Sequence, residues 1–263
     1  GRIMLQVTSV RGEEVQTVVR HGGVLSNNKG INKQGGGLTA PALTAKDMED
    51  IKTAVKMQAD YLAVSFPKSG ADMYMAHELM RAAGGKAFLI AKIERAEAVE
   101  PKILADIMNG SDGIMVARGD LAVEVGDAAV PALQKRMIRM AREANKLTIT
   151  ATQMMESMVA SPVPTRAEVS DVANAVLDGT DAVMLSAESA SGRYPVEAIM
   201  AMDRICIQAE QSQPLSLDQD FLNRVFTRVD QSIAMGALFT AFHLKVKAIA
   251  ALTESGSTAL WMS

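Results

Sequence analysis

Ala87-Phe88-Leu89-Ile90-Ala91-Lys92-Ile93-Glu94 is an apolar run into which a lysine and a glutamate intrude where a buried strand would still be apolar. Side chains alternate between the two faces of a strand, so Lys92 and Glu94, two apart, project to the same side. A cation and an anion together at the carboxyl end of a buried strand point to chemistry on an anion held by a metal.

The surrounding chain repeats one cycle. Thr44 and Asp47 form a capping-box signature, and Met48, Ile51, Val55 and Gln58 follow at helical spacing. Tyr61 to Phe66 is then a short apolar strand. Ser69 and Asp72 cap a second helix, which carries Met73, Ala76, Met80 and Ala83 and stops at Gly84-Gly85. After the strand that ends in Glu94 come a helix to Asn109-Gly110, a strand Asp112 to Ala117, a long helix over about Ala128 to Asn145 and a strand Leu147 to Ala151. A helix capped by Thr165 and Glu168, a strand Asp181 to Ser186 and a helix begun by Pro195 complete the series. Five apolar strands alternating with amphipathic helices predict parallel βαβ units with both sheet faces covered.

Each strand leaves polar residues at its carboxyl end: Ser65; Lys92 with Glu94; Arg118 with Asp120; Thr152 with Gln153; Ser186 with Glu188. In α/β barrels and open parallel sheets the strand carboxyl ends build the site, so these endings are expected to converge on one cleft. Before the series, residues 1–37 alternate apolar and polar with glycine punctuation and read as a small β module. After it, from about Leu215, Val229 to His243 reads as a helix and Ala248 to Leu252 as a strand. Thr253-Glu254-Ser255-Gly256-Ser257-Thr258 is a glycine- and hydroxyl-rich turn that suits a phosphate at a helix amino terminus.

Composition narrows the class. With 22% charged residues and a net charge of −3, no broad basic field invites nucleic acid or an anionic membrane, and a small-molecule partner is expected. Cys206 is the single cysteine, which excludes an intrachain disulfide and favours a reducing, intracellular setting. There is no apolar run of 18 residues and no secretory pattern at the amino end, so no membrane contact is expected. The chain begins inside a strand-like run and stops as a helix starts, which reads as a segment of a longer protein.

Glu94 and Asp120, on adjacent strand ends, are candidates to share one Mg²⁺ through oxygen ligation. Gly119, between Arg118 and Asp120, lets a ligand approach backbone N–H groups closely. The same residues, Lys92, Glu94, Arg118 and Asp120, read equally well as a salt-bridge network at the mouth of a barrel. Thr152 is able to donate or relay a proton, though a threonine ending a strand more often caps the next turn. Glu188 reads as a cap or an ion-pair partner as readily as a catalytic group. The methionines fall mostly at apolar helical positions and read as core.

With these residues assembled, the chain resembles pyruvate kinase. The carrying stretches are Asn28-Lys29-Gly30-Ile31-Asn32, Ser65-Phe66-Pro67, Ala91-Lys92-Ile93-Glu94, Met115 to Leu121, Thr150 to Met158, Pro164-Thr165-Arg166-Ala167-Glu168 and Asp171 to Asp181, which together span nearly the whole chain. Gly35-Gly36-Gly37 resembles the bacterial branch.

The resemblance implies an α/β fold built on a (β/α)8 TIM-type barrel, partial in this chain, with a small β lid domain and an α/β carboxyl-terminal domain. Residues 1–37 would be the end of the lid, 38–214 the later part of the barrel, and 215–263 the start of the last, regulatory domain. It also implies transfer of phosphate from phosphoenolpyruvate to ADP, giving pyruvate and ATP, with Mg²⁺ or Mn²⁺ and usually K⁺, in a cytoplasmic homotetramer open to a phosphorylated allosteric effector. Carried over residue by residue, Glu94 and Asp120 would hold the metal and Lys92 would stabilise the transferring phosphoryl and the enolate. Gly119 and Asp120 would grip the substrate carboxylate by their backbone N–H groups, with Arg118 among the substrate contacts. Thr152 would sit beside the methylene carbon and Lys29 would reach the nucleotide phosphates. Thr253, Ser255, Gly256, Ser257 and Thr258 would form the effector turn. Two positions depart from the family pattern: Ala122 stands where glycine is usual, and Ser189 where threonine is. The competing readings are a metal-dependent 2-oxo acid lyase on a similar barrel, which needs no nucleotide, and an inactive or regulatory fragment.

Overall fold

A computed structural model describes residues 3–27, 30–37, 39–212, 226, 228–254 and 256–262. Two compact units divide the chain, residues 1–210 and 211–263.

The first unit opens with an antiparallel hairpin, β1 (Met4–Arg11) and β2 (Glu14–His21), in which Arg11 pairs with Glu14. Gly12 and Glu13 form the two-residue turn, and Gly12 takes φ +60°, the left-handed value that a tight hairpin turn asks of its first central residue. The β module read over residues 1–37 is this ribbon only as far as His21; the described residues from 22 to 37 are irregular.

The remainder of the unit is a five-stranded parallel sheet in the order β3 (Tyr61–Val64), β4 (Phe88–Ile93), β5 (Gly113–Ala117), β6 (Leu147–Ala151) and β7 (Ala182–Met184). The intervening helices are α1 (Ala45–Lys56), α2 (Gly70–Ala82), α3 (Pro101–Asn109), α4 (Arg118–Val125), α5 (Val130–Glu143), α6 (Arg166–Leu177), the short α7 (Ala187–Ala190) and α8 (Pro195–Ser212). Strand order follows chain order, so each crossover joins neighbours, as in one arc of a β/α barrel. Thr44 and Thr165 cap α1 and α6 in reciprocal boxes with Asp47 and Glu168, while Asp72 accepts from the backbone N–H groups of Lys68 and Ser69 at the start of α2. The long helix expected over 128–145 begins instead as a single 3-10 turn, Asp127–Ala129, before α5.

The alternation of β4 separates two cores. Leu89, Ala91 and Ile93 turn toward the helices and join Met73, Met80, Leu104, Ile107 and Met137 in one buried cluster. Ile90 turns the other way and packs with Met115 and Ala151. Lys92 therefore shares the second face, the side on which the sequence placed it. Behind β6, Met154, Met155 and Met158 pack on α6 and α8, so much of the methionine content is core. Aspartates lock the strand starts: Asp112, just before β5, accepts from the Leu89 N–H at 2.7 Å, and Asp181, just before β7, from the Thr148 N–H at 2.8 Å.

The second unit holds α9 (Val229–Leu244) and α10 (Ser257–Trp261). Ala248 to Leu252, expected as a strand, is irregular. A strand exists by pairing, and this segment has no ladder partner among the described residues. Between it and α10, the Gly256 N–H donates to Thr253 Oγ1 at 3.1 Å; Ser255 lies outside the described residues, as does the domain boundary read at 214/215.

Candidate functional site

β4 delivers its two charged residues as a pair. Lys92 Nζ lies 2.7 Å from Glu94 Oε1, the lysine side chain about a quarter exposed and the glutamate 2%. From the end of β3, Ser65 Oγ accepts from Lys92 Nζ at 3.0 Å. The next residue, Phe66, takes φ +55° and donates its N–H to Glu94 Oε2 at 2.9 Å. One glutamate oxygen is thus held from its own strand and the other from the end of β3. Burial pushes the Glu94 carboxyl above its usual range, against the pull of Lys92 and the Phe66 N–H, and the charge of Asp120 adds to the rise.

β5 runs directly into α4, so Gly119 and Asp120 occupy a helical first turn. The Gly119 N–H donates to Thr152 Oγ1 at 2.8 Å, which bridges the ends of β5 and β6. Asp120 Oδ1 accepts from the Asn32 side-chain amide at 2.8 Å. Thr152 and Gln153 stand at φ +69° and +53°, two consecutive non-glycine residues in the left-handed region. A β-branched side chain is rare there, and such strain persists where the surroundings enforce it.

Arg118 does the enforcing. Its guanidinium is buried and donates to the Thr152 carbonyl at 2.8 Å and to the Ala151 carbonyl at 3.4 Å, while Nη1 pairs with Asp171 at 2.7 Å. These partners lie within the fold. The four charged residues do not form a single network: Lys92 pairs with Glu94, Arg118 with Asp171, and Asp120 bonds an amide. Glu188 caps, accepting from the Ser186 and Met155 N–H groups at 2.7 and 3.1 Å, fully buried.

The structure brings Lys92, Glu94, Gly119, Asp120 and Thr152 to the carboxyl ends of three adjacent strands. Lys29 lies outside the described residues. Sequence reading gave no role to Asn32, although it stands in a quoted motif, and none to Asp171; their contacts span 88 and 53 residues, which no local pattern signals. Ala122 sits in α4 and is absent from the positive-φ residues, so its methyl crowds no left-handed turn. Ser189 is exposed.

The donor set suits a hard divalent cation. Among the described residues no three acidic, histidine or cysteine side chains cluster; Mg²⁺ is ordinarily bound by one or two carboxylates together with substrate oxygens and water. Among the same residues no helix is long and apolar enough to cross a membrane.

Comparison with known proteins agrees with this geometry. The family model for the pyruvate kinase barrel domain matches residues 1–199, and that for the pyruvate kinase alpha/beta domain matches residues 231–263. Over all of its length the chain is 56% identical to pyruvate kinase II of Salmonella typhimurium and 53% identical to the pyruvate kinase of Haemophilus influenzae, covering 55% of each. It is 45% identical to the pyruvate kinase of Mycobacterium intracellulare over 98% of this chain and 54% of that protein. The chain spans about 55% of the length of the first of these relatives. Nothing in these matches supports the lyase reading. With both domain models matched in order, from the hairpin through the parallel sheet to the helices beyond it, the chain belongs to the pyruvate kinase family.

Proposed function

We propose that this chain carries the phosphoryl-transfer half of a pyruvate kinase site, taking phosphate from phosphoenolpyruvate to ADP to give pyruvate and ATP. The observation that carries the reading is the convergence of a lysine–glutamate pair, an aspartate and a strained threonine on neighbouring strand ends. Phosphoryl transfer asks chiefly for positioning and charge stabilisation, and this set supplies both.

Glu94 and Asp120 hold Mg²⁺ or Mn²⁺. When bound, the cation polarises the enol oxygen and neutralises phosphoryl charge. Lys92, held by Glu94 and Ser65, faces the same anions and offsets the charge that develops on the phosphoryl and the enolate. The Gly119 and Asp120 N–H groups open a helix and take the substrate carboxylate. The Gly119 N–H, which donates to Thr152 Oγ1 without substrate, passes to that carboxylate and releases the hydroxyl. Thr152 then belongs to the network that delivers a proton to the methylene carbon, turning the enolate into pyruvate. Arg118 keeps Thr152 in its left-handed conformation. Lys29 reaches the nucleotide phosphates. K⁺ dependence, a cytoplasmic homotetramer and a phosphorylated effector at Thr253 to Thr258 follow from the family alone.

Pyruvate formation from phosphoenolpyruvate, with ADP, Mg²⁺ and K⁺ varied in turn and Lys92→Met as control, tests the reading. Turnover that needs ADP and that Lys92→Met abolishes supports it. ADP-independent pyruvate release refutes it. An absence of turnover in folded chain means that this segment is the inactive half of a site.

A further inference from the structure

The Asn32 amide reaches Asp120 from the amino-terminal module, and the chain that presents it is fastened at both strand-end loops of the site. Gly35, Gly36 and Gly37 all take left-handed φ values, +81°, +72° and +80°. Three such residues in a row form a hook open only to glycine. The Gly35 N–H donates to the Glu124 carbonyl at 2.8 Å, and the Gly37 N–H to Glu97 Oε1 at 2.6 Å. Gly36 is buried so tightly on Glu97 that an added Cβ would lie 2.9 Å from Oε2. Glu124 lies one turn beyond Asp120 in α4, and Glu97 opens the 3-10 turn three residues after Glu94. Glu124 ties the anchors together, its buried carboxylate accepting from the Ala96 N–H at 2.8 Å.

A carboxylate that ligates a cation is itself held by hydrogen bonds, and losing such a partner commonly weakens binding. The Asn32 amide fixes the orientation of the Asp120 carboxylate through Oδ1. We infer that Asn32 is a positioning residue for Asp120, and that the glycine hook, fastened to Glu97 and Glu124, holds the Asn32 amide at that carboxylate. The inference rests on the metal reading above and adds to it a residue and a mechanical link.

The test is titration of Mn²⁺ into the full chain without substrate, free Mn²⁺ being read from its electron spin resonance signal. Asn32→Ala is expected to raise the Mn²⁺ Kd about tenfold with the melting temperature unchanged. Gly36→Ala, which displaces the hook from Glu97 and leaves Asn32 in place, is expected to raise it in the same direction. Trypsin cleavage after Lys33 gives a second readout: Mn²⁺ slows it in the unmodified chain and has no effect in Asn32→Ala. An unchanged Kd in both variants, with Glu94→Gln abolishing binding, overturns the positioning role and leaves the metal reading standing. A folded, unmodified chain that binds no Mn²⁺ overturns both.

Discussion

The Gly119 N–H and the Thr152 hydroxyl meet at 2.8 Å, joining a backbone donor at the end of β5 to a side-chain acceptor just past β6. Removing the acceptor isosterically strands the donor and takes the hydroxyl from the proton path. Thr152→Val is expected to slow proton exchange into the methyl group of pyruvate about a hundredfold, more than it slows phosphoryl transfer. Thr152→Ser, which keeps the hydroxyl and sheds the β-branch, is expected to restore most of the rate. Equal loss in both half-reactions would remove Thr152 from the proton path.

Arg118 is held in a fork, with the Thr152 carbonyl on one nitrogen and Asp171 on another. A lysine has the charge but not the planar set of donors. Arg118→Lys is expected to cost about 2–3 kcal/mol in denaturant unfolding and to depress turnover together with Thr152 function, with Mn²⁺ affinity unchanged. A double variant with Thr152→Val measures the coupling, and strict additivity would separate the two residues.

Glu168 sets an acid limit on stability. Burial acts to raise its carboxyl, but hydrogen bonds from the Ser157 hydroxyl and N–H and from Thr165 prevail and hold it below the ordinary value of 4.5. Because the folded-state value lies below the unfolded one, the stabilisation is complete above the unfolded value and fades as pH falls through the folded one. Melting temperatures of the unmodified chain and Glu168→Gln are expected to differ at pH 7 and to draw together as pH falls through and below the ordinary carboxylate range. A gap that stays constant with pH would assign the effect to packing.

Gly113 starts β5 between two neighbours. A Cβ there would lie 2.7 Å from the Leu147 carbonyl oxygen and 2.9 Å from Ile90 Cδ1. Gly113→Ala is expected to destabilise the first unit by about 1–3 kcal/mol in urea, since backbone on one side leaves no slack. A smaller loss would mean that β5 and β6 separate easily.

The five strands and the caps at Thr44 and Thr165 were legible because they are local: apolar runs of strand length, and hydroxyl-to-acid spacings of three. The shared side of Lys92 and Glu94 was legible for the same reason, since alternation is a property of any strand. α4 was not. Arg118-Gly119-Asp120 opens it with a glycine, a poor helix former, and Ala117 offers no capping side chain; the helix stands because Leu121 is buried beneath it. Ala248 to Leu252 failed in the opposite direction, with strand composition but no ladder partner among the described residues. The Asn32–Asp120 and Arg118–Asp171 contacts are tertiary, and no periodicity announces them.

β4, β5 and β6 are the inner three of five strands, hydrogen-bonded on both sides, and they carry or adjoin every proposed reacting group. Among the described residues β3 and β7 are the outer strands of this sheet. Amides of Ala91, Met115 and Ile149 should therefore exchange with solvent only through the rarest, near-global openings. Lys92, Glu94, Asp120 and Thr152 are bolted to the part of the chain that opens last, so thermal breathing of the periphery leaves their spacing intact, and catalytic registration should survive until the sheet itself is lost.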